Sequence, residues 1–552
     1  MADFSNQVVY QIYPKSFKDT NGDGVGDIPG VIEKLDYLQE LGVDYLWLTP
    51  FFPSPQRDNG YDVADYREVN PAFGTMEDLE NLIIQSRKRG MGLMLDMVFN
   101  HTSTQHVWFQ KALAGEEKYQ NYYIFKEGEP DRAPTNWQSK FGGSAWEYVP
   151  KLKKWYLRLY DVTQADLNWD NPEVRRELKE ILLFWKEKGI RAFRFDVINL
   201  VSKPEQMEDD FEGDGRRFYT DGPHIHEYLK ELVREAGIED FVTVGEMSST
   251  TLEQCIRYSA PKEKELSMCF NFHHLKVDYK NGDKWALMPV NYKELKRLFI
   301  KWQLGIQEGN GWNALFWCNH DQPRIVSRLG DEKIYWKESA KMLAGAIHLM
   351  RGTPYIYQGE EIGMLNAHYT SIEQYRDVES LNYYEILLKQ GKTKAEALEI
   401  LAARSRDNSR TPMQWTKDVW GGFSGTEPWI PMSAAFREEM TVEAQEKDEA
   451  SILNFYKKLI AMRKQYPVIA KGEISFLETE TEMVLAYERT LEKEEILVLS
   501  NFDSRKQSIK LPEKWCSKSL LLENYTGREE AVKEEIYTME PYEFAILGDK
   551  SK

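Results

Sequence analysis

The spacing of apolar positions changes period again and again along the chain. Short runs rich in β-branched and aromatic residues alternate with stretches whose apolar positions recur every three to four residues, the signature of parallel βα units. Eight such runs predict strands, over 8–14, 45–50, 92–100, 191–197, 241–247, 266–272, 313–321 and 353–361. Helical periodicity follows several of them, over 31–41, 77–89 and 173–188. Eight successive βα units predict an α/β fold, a closed (β/α)8 TIM barrel rather than an open sheet.

Two spacings break the rhythm. Between the third strand and a helix opening at Asn171-Pro172-Glu173 lies a long segment, 102–171, rich in Trp, Tyr, Gly and Pro. An ordinary βα loop has roughly 2–6 residues, so this segment predicts an inserted subdomain on the C-terminal face of the barrel. After Ile469 the pattern turns to short alternating runs separated by charged turns, over 473–477, 483–487, 496–499, 519–522 and 543–547. That predicts a C-terminal antiparallel β domain, a β-sandwich over 470–552. The barrel keeps 1–101 and 172–469.

Charge and composition narrow the partners. The 552 residues carry 71 Lys and Arg against 89 Asp and Glu, a formal charge of −18. Such a chain repels polyanions, so nucleic acid and anionic membranes are set aside. Met1-Ala2-Asp3-Phe4-Ser5-Asn6 has neither the basic nor the apolar segment of a secretory signal. No run reaches the ~18 apolar residues of a membrane span. A cytoplasmic protein, monomeric or weakly oligomeric, is expected. Cys255, Cys269, Cys318 and Cys516 are far apart and form no CxxC, which predicts free thiols.

Reactive side chains of a barrel stand where its strands end. The third predicted strand ends Asp96-Met97-Val98-Phe99-Asn100-His101, the fourth Arg194-Phe195-Asp196, the fifth Gly245-Glu246 and the seventh Asn319-His320-Asp321. Two carboxylates around an oxocarbenium-like transition state are what glycosidic cleavage requires. Arg194 and Asp196 are two residues apart and share a strand face, so the guanidinium is expected to keep Asp196 ionised. Glu246 has no cation beside it in sequence, which suits the raised pKa of a general acid.

These strings, in this order, resemble the signature regions of the α-amylase family (glycoside hydrolase family 13). Gln164-Ala165-Asp166-Leu167-Asn168 resembles a further motif of that family, with Ala where Pro is usual. Asn59-Gly60-Tyr61-Asp62 and 405–415 are typical of its oligo-1,6-glucosidase branch. The resemblance implies Asp196 as nucleophile, Glu246 as acid/base and Asp321 as a third catalytic carboxylate that binds sugar hydroxyls. Asp62, His101, Arg194, His320 and Arg406 would line the subsite of the cleaved glucose, with Arg410 the alternative to Arg406. It also implies retention of anomeric configuration, with two carboxyl groups about 5–5.5 Å apart, and no organic cofactor.

The first βα loop, Asp19-Thr20-Asn21-Gly22-Asp23-Gly24-Val25-Gly26-Asp27, places oxygen donors at alternate positions with glycine sixth, as in the first half of an EF-hand loop. Position twelve is Gly30, so it is not an EF-hand. It resembles the calcium loop of the same branch, which implies structural Ca²⁺ or Mg²⁺ on Asp19, Asn21, Asp23, the Val25 carbonyl and Asp27. A plain Asx-rich turn is the alternative.

Substrate choice falls to the segments after the fourth and sixth strands, which bring Arg216, Arg217, His273, His274, Lys276 and Lys284 towards the mouth. Their wording resembles the trehalose-6-phosphate hydrolases of that branch, and charge-assisted bonds from basic residues are the usual anchors of a sugar phosphate. The six are therefore candidate phosphate ligands, and the expected partner is a phosphorylated disaccharide. Val197, next to Asp196, is the residue type of α-1,6-acting relatives. Alternatives are a neutral α-glucoside, as for an oligo-1,6-glucosidase or isomaltulose-forming enzyme, and a non-catalytic barrel serving as an interaction module.

Overall fold

A computed structural model describes residues 4–529 and 535–550. Eight parallel strands form one sheet: β1 (Val9–Ile12), β2 (Tyr45–Leu48), β3 (Gly92–Met97), β4 (Ala192–Phe195), β5 (Val242–Glu246), β6 (Met268–Phe270), β7 (Ala314–Leu315) and β8 (Thr353–Tyr357). Their order is β6-β5-β4-β3-β2-β1-β8-β7, and a parallel bridge from Cys269 to Asn313 brings the two edges together into a barrel. Trp47, Phe270 and Tyr355 pack ring against ring, their centroids 4.6–6.2 Å apart.

Each strand falls inside its predicted run but ends sooner. The seventh overruns most: its ladder stops at Leu315, while Phe316, Trp317 and Cys318 stay buried as loop. Burial prolongs a hydrophobic run past the last ladder bond, so periodicity alone cannot mark the strand end. Two of the predicted helices are found nearly as read, Met76–Lys88 behind a Thr75/Asp78 capping box and Pro172–Glu187 behind Asn171. The predicted helix over 31–41 starts earlier, because Asp27 caps it by accepting from the Gly30 amide, and is two helices, Ile28–Glu33 and Leu35–Leu41, divided at Lys34, whose ψ of 8° departs from the helical range.

In the inserted segment His101–Ser103 pairs with Gln164–Asp166, and Phe125–Glu127, Lys154–Leu157 and Trp146–Val149 make a three-stranded sheet. Trp137, Trp146, Trp155 and Leu157 form its core, which Val197 and Leu200 of the barrel complete. A second long excursion, unforeseen from spacing, follows β8 and includes the helices Val378–Lys389 and Lys394–Arg404. Its helical period is the one an ordinary barrel helix shows.

The C-terminal part is antiparallel. Glu473–Phe476, Val484–Leu491, Glu494–Asn501, Phe544–Gly548 and Ser519–Glu523 form a five-stranded sheet, faced by the pair Gln507–Lys510 and Ile536–Met539. Val484, Leu497 and Leu499 meet Ile509, Tyr537 and Met539 between the two. It packs tightly on the barrel at Gly345, where a Cβ would stand 2.2 Å from the Phe544 ring. Among the described residues no helix is long and apolar enough to cross a membrane.

Candidate active site

The carboxylates gather because the register of β3, β4 and β5 sets them around one side chain. Arg194 lies opposite Asp96 on β3 and Val244 on β5. From there its Nη1 donates to Asp96 at 2.5 Å and to Asp196 at 2.7 Å, and its Nη2 donates to Glu246. Asp96 also accepts from Trp47 Nε1 and the Tyr61 hydroxyl. Arg194 therefore serves Glu246 as well as Asp196, which corrects the expectation that Glu246 has no cation beside it. Burial raises the pKa of both carboxyls, Arg194 opposes the rise, and the neighbouring carboxylates add to it. Three carboxyl groups on one guanidinium hold a proton in common more readily than three full charges.

Past Asp196 the chain turns sharply. Val197 adopts φ 36°, ψ 39°, a left-handed conformation that costs a β-branched residue roughly 1–3 kcal/mol. Its side chain is held by the aromatic core of the inserted segment, which offsets the strain.

Asp321 sits across the pocket and accepts from Arg410 at 2.7 Å and Arg406 at 3.4 Å. Burial works against its charge, but the cations Arg406, Arg410 and Lys284 hold its carboxyl well below the usual carboxylate range. Arg406 lines the pocket, while Arg410 is fully buried and bonds the His320 carbonyl as well. Both arginines thus act on Asp321, and Arg406 alone of the two reaches the pocket wall. His320 stacks on Tyr61 at 4.9 Å with its Nδ1 bonded to Gln11, and His101 is bonded to the Tyr61 carbonyl. Burial pulls their pKa values to about 3 and about 4, so both rings are neutral.

Asp62 is not at the pocket. Its carboxylate accepts from Ser54 Oγ and the Arg57 and Asp58 amides, inside its own loop. Asp58 faces the pocket instead, 2.8 Å from Arg406, because Asn59 and Gly60 both take positive φ and reverse the chain between the two aspartates.

The pocket holds about 240 Å³ and is lined by the carboxylates and by Lys140, Lys276 and Lys284. Lys284 is paired with Glu379 at 2.7 Å. Among the described residues Lys140 and Lys276 have no carboxylate within ion-pair distance. Burial, then Arg216 and Lys276, pull Lys140 down to about 8. Arg216 is bound to Asp214 at 2.5 Å, beside those lysines rather than on the pocket wall. Three other expectations fail. Arg217 turns away to Glu212 and Asp210, His274 is buried against the Phe316 carbonyl, and His273 packs at a tilt against Trp302 outside the pocket.

Comparison with known proteins agrees with this geometry. Residues 11–472 match the alpha amylase catalytic domain, and 484–546 match the alpha-amylase SusG C-terminal domain. The chain belongs to the α-amylase family and is a glycosidase. Trehalose-6-phosphate hydrolase of Bacillus subtilis is 51% identical over 98% of this chain and 97% of its own. Oligo-1,6-glucosidase of Parageobacillus thermoglucosidasius is 45% identical over 98% and 97%. The crystal structure of trehalose-6-phosphate hydrolase from Bacillus licheniformis, at 51% identity, superposes with a TM-score of 0.94 over 99% of this chain and 100% of that one.

Residues of this glycosidase that sequence reading passed over are Asp58, Lys140, Asp377 and Glu379. Asp377 accepts from Arg406 at 2.5 Å and so fixes the guanidinium that touches Asp321. Nothing local distinguishes Lys140 from any exposed lysine. Asp58 lies beside the string already singled out, and only the turn at Asn59-Gly60 separates it from Asp62.

In the first loop Asp19 accepts from the Gly22 and Gly24 amides and Ser424 Oγ, and Asp27 accepts from the Thr20 and Gly30 amides. Asn21 and Asp23 each accept from the amide two residues on. All five residues offer oxygen, as a hard cation requires. Among the described residues, however, no three His, Cys, Asp or Glu side chains stand together as a formed cation site.

Proposed function

We propose that this glycosidase hydrolyses trehalose 6-phosphate to glucose and glucose 6-phosphate with retention of configuration. The observation that carries the reading is the pair Lys140 and Lys276, two cations in a carboxylate-lined pocket with no ion-pair partner among the described residues. An unpaired cation that is half-buried, as Lys140 is, is costly in an empty pocket and well used by a phosphate dianion, and the more exposed Lys276 adds its charge beside it. Relatives at 51% identity over nearly the whole chain bear the corresponding name.

Asp196 attacks the anomeric carbon of the unphosphorylated glucose while Glu246 gives its proton to the bridging oxygen, and glucose 6-phosphate leaves. Water, deprotonated by Glu246, then attacks the glucosyl ester and frees glucose and Asp196. Asp321, kept ionised by Arg406 and Arg410, accepts hydrogen bonds from sugar hydroxyls. Of the two neutral imidazoles, His101 spends its one N–H on the Tyr61 carbonyl, while His320, whose Nδ1 accepts from Gln11, keeps its Nε2–H to donate to the same sugar. A substrate phosphorylated on uptake suits a cytoplasmic enzyme. The loop 19–27 would hold a structural Ca²⁺ or Mg²⁺ through Asp19, Asn21, Asp23, the Val25 carbonyl and Asp27.

Turnover of trehalose 6-phosphate and trehalose compared side by side tests the substrate. A kcat/KM favouring the phosphorylated sugar by at least about a hundredfold is expected, the worth of two charge-assisted bonds. Equal values would remove the phosphate and leave a neutral α-glucoside as substrate. Asp196→Asn should abolish both activities, whereas an interaction module would lose nothing.

A further inference from the structure

Beside the catalytic pocket lies a second hollow, of about 390 Å³, with its own lining. His273, Arg297, Lys301 and Trp302 form much of its wall, and Lys276 belongs to both hollows. Its one carboxylate, Glu294, is engaged by Arg297 in two bonds of 2.6 Å. Among the described residues neither Lys276 nor Lys301 has a carboxylate within ion-pair distance. The His273 Nδ1 is buried without a hydrogen-bond partner there, its ring 4.6 Å from Trp302. The hollow thus presents two unpaired cations, Lys276 and Lys301, beside the closed Arg297–Glu294 pair, with an imidazole and an aromatic surface, on a chain whose net charge is −18.

We infer that this hollow is a second, non-catalytic site for a phosphate monoester dianion, formed by His273, Lys276 and Lys301. Cations gathered on an otherwise acidic surface attract an anion locally. Their exposure keeps the affinity weak, about millimolar. Because Lys276 is shared, an anion in the hollow draws that ammonium away from the catalytic pocket. Occupancy therefore raises KM for a phosphorylated substrate and leaves kcat unchanged. This competition rests on the phosphate reading given above, whereas the site itself does not.

The test is calorimetric titration of the full chain with glucose 6-phosphate and, separately, with inorganic phosphate, for wild type, Lys301→Glu and Lys301→Gln. Lys301 is exposed and outside the catalytic pocket, so both variants should fold and keep their activity on a neutral glucoside. Two sites in the wild type are expected, one of them weakened at least about tenfold by Lys301→Glu and less by Lys301→Gln. If inorganic phosphate fills the second site as well as the hexose phosphate does, the phosphate group alone is read; if it does not, the sugar is read too. One site in wild type and variants overturns this inference and spares the proposed substrate. Two sites untouched by Lys301→Glu also overturn it. No binding of either probe overturns both.

Discussion

Lys140 gives the phosphate reading a pH signature of its own. Burial, then Arg216 and Lys276, hold its ammonium near pKa 8, so it begins to lose charge within the working range of the enzyme. The kcat/KM of an enzyme reports ionisations of the free protein and free substrate. For trehalose 6-phosphate it should rise through about pH 6 as the phosphate takes its second charge. It should then fall above about 8, and at pH 9 only roughly a tenth of Lys140 remains charged, which sets close to a tenfold loss. Trehalose offers no phosphate, so its profile should lack that alkaline limb. Lys140→Met removes a bond to a charged group worth about 1.5–3 kcal/mol, a loss of roughly 10- to 150-fold in kcat/KM for the phosphorylated sugar alone. Lys140→Arg should keep the activity and carry the alkaline limb out of range. Initial rates at low substrate between pH 5 and 10 decide the matter. The same alkaline limb on both substrates, or its persistence in Lys140→Met, would refute the reasoning.

Asp58 and Asp62 should separate cleanly. Asp58→Asn weakens the clamp on Arg406 and should cut kcat/KM by roughly 10- to 100-fold, while Asp62→Asn frees loop amides and should lower the unfolding temperature with activity nearly intact; the opposite pattern would restore Asp62 to the pocket. Glu360 is buried, accepts from the Tyr456 hydroxyl at 2.9 Å, and burial raises its carboxyl from 4.5 to about 8. The fold favours its protonated form, so this contribution to stability is whole below about pH 4.5 and drains away at about 1.4 kcal/mol per unit up to about 8. Glu360→Gln should flatten that slope and gain about 3 kcal/mol on the wild type between pH 5.5 and 8 in denaturant unfolding, and parallel curves would disprove it. If the first loop holds calcium, a chelator should lower the melting temperature by roughly 2–4 °C and Asp23→Asn should abolish the shift. An unmoved melting curve would make the loop a plain Asx turn.

The eight strands, their order and the insertion after the third were legible because each is a local property: a hydrophobic run of one period bounded by a change to another. Most of the ionisable residues that matter were legible for a related reason. A barrel strand is apolar until it reaches the mouth, so Asp196, Glu246 and Asp321 stand out where burial ends and chemistry begins. What sequence spacing cannot carry is the direction of a side chain after a turn, or which distant segment it meets. Two positive-φ residues decide that Asp58, and not Asp62, reaches Arg406, some 350 positions further on. Strand register decides that Arg194 is shared between Asp196 and Glu246. Packing sends His274 and Arg217 away from the pocket, although their charge pattern resembled that of Lys276. Lys140 from the inserted segment and Lys276 from beyond β6 become neighbours only when the two segments close over the mouth. Their mutual repulsion and the lack of a carboxylate partner among the described residues, the features that point to a phosphate, exist only in the folded chain.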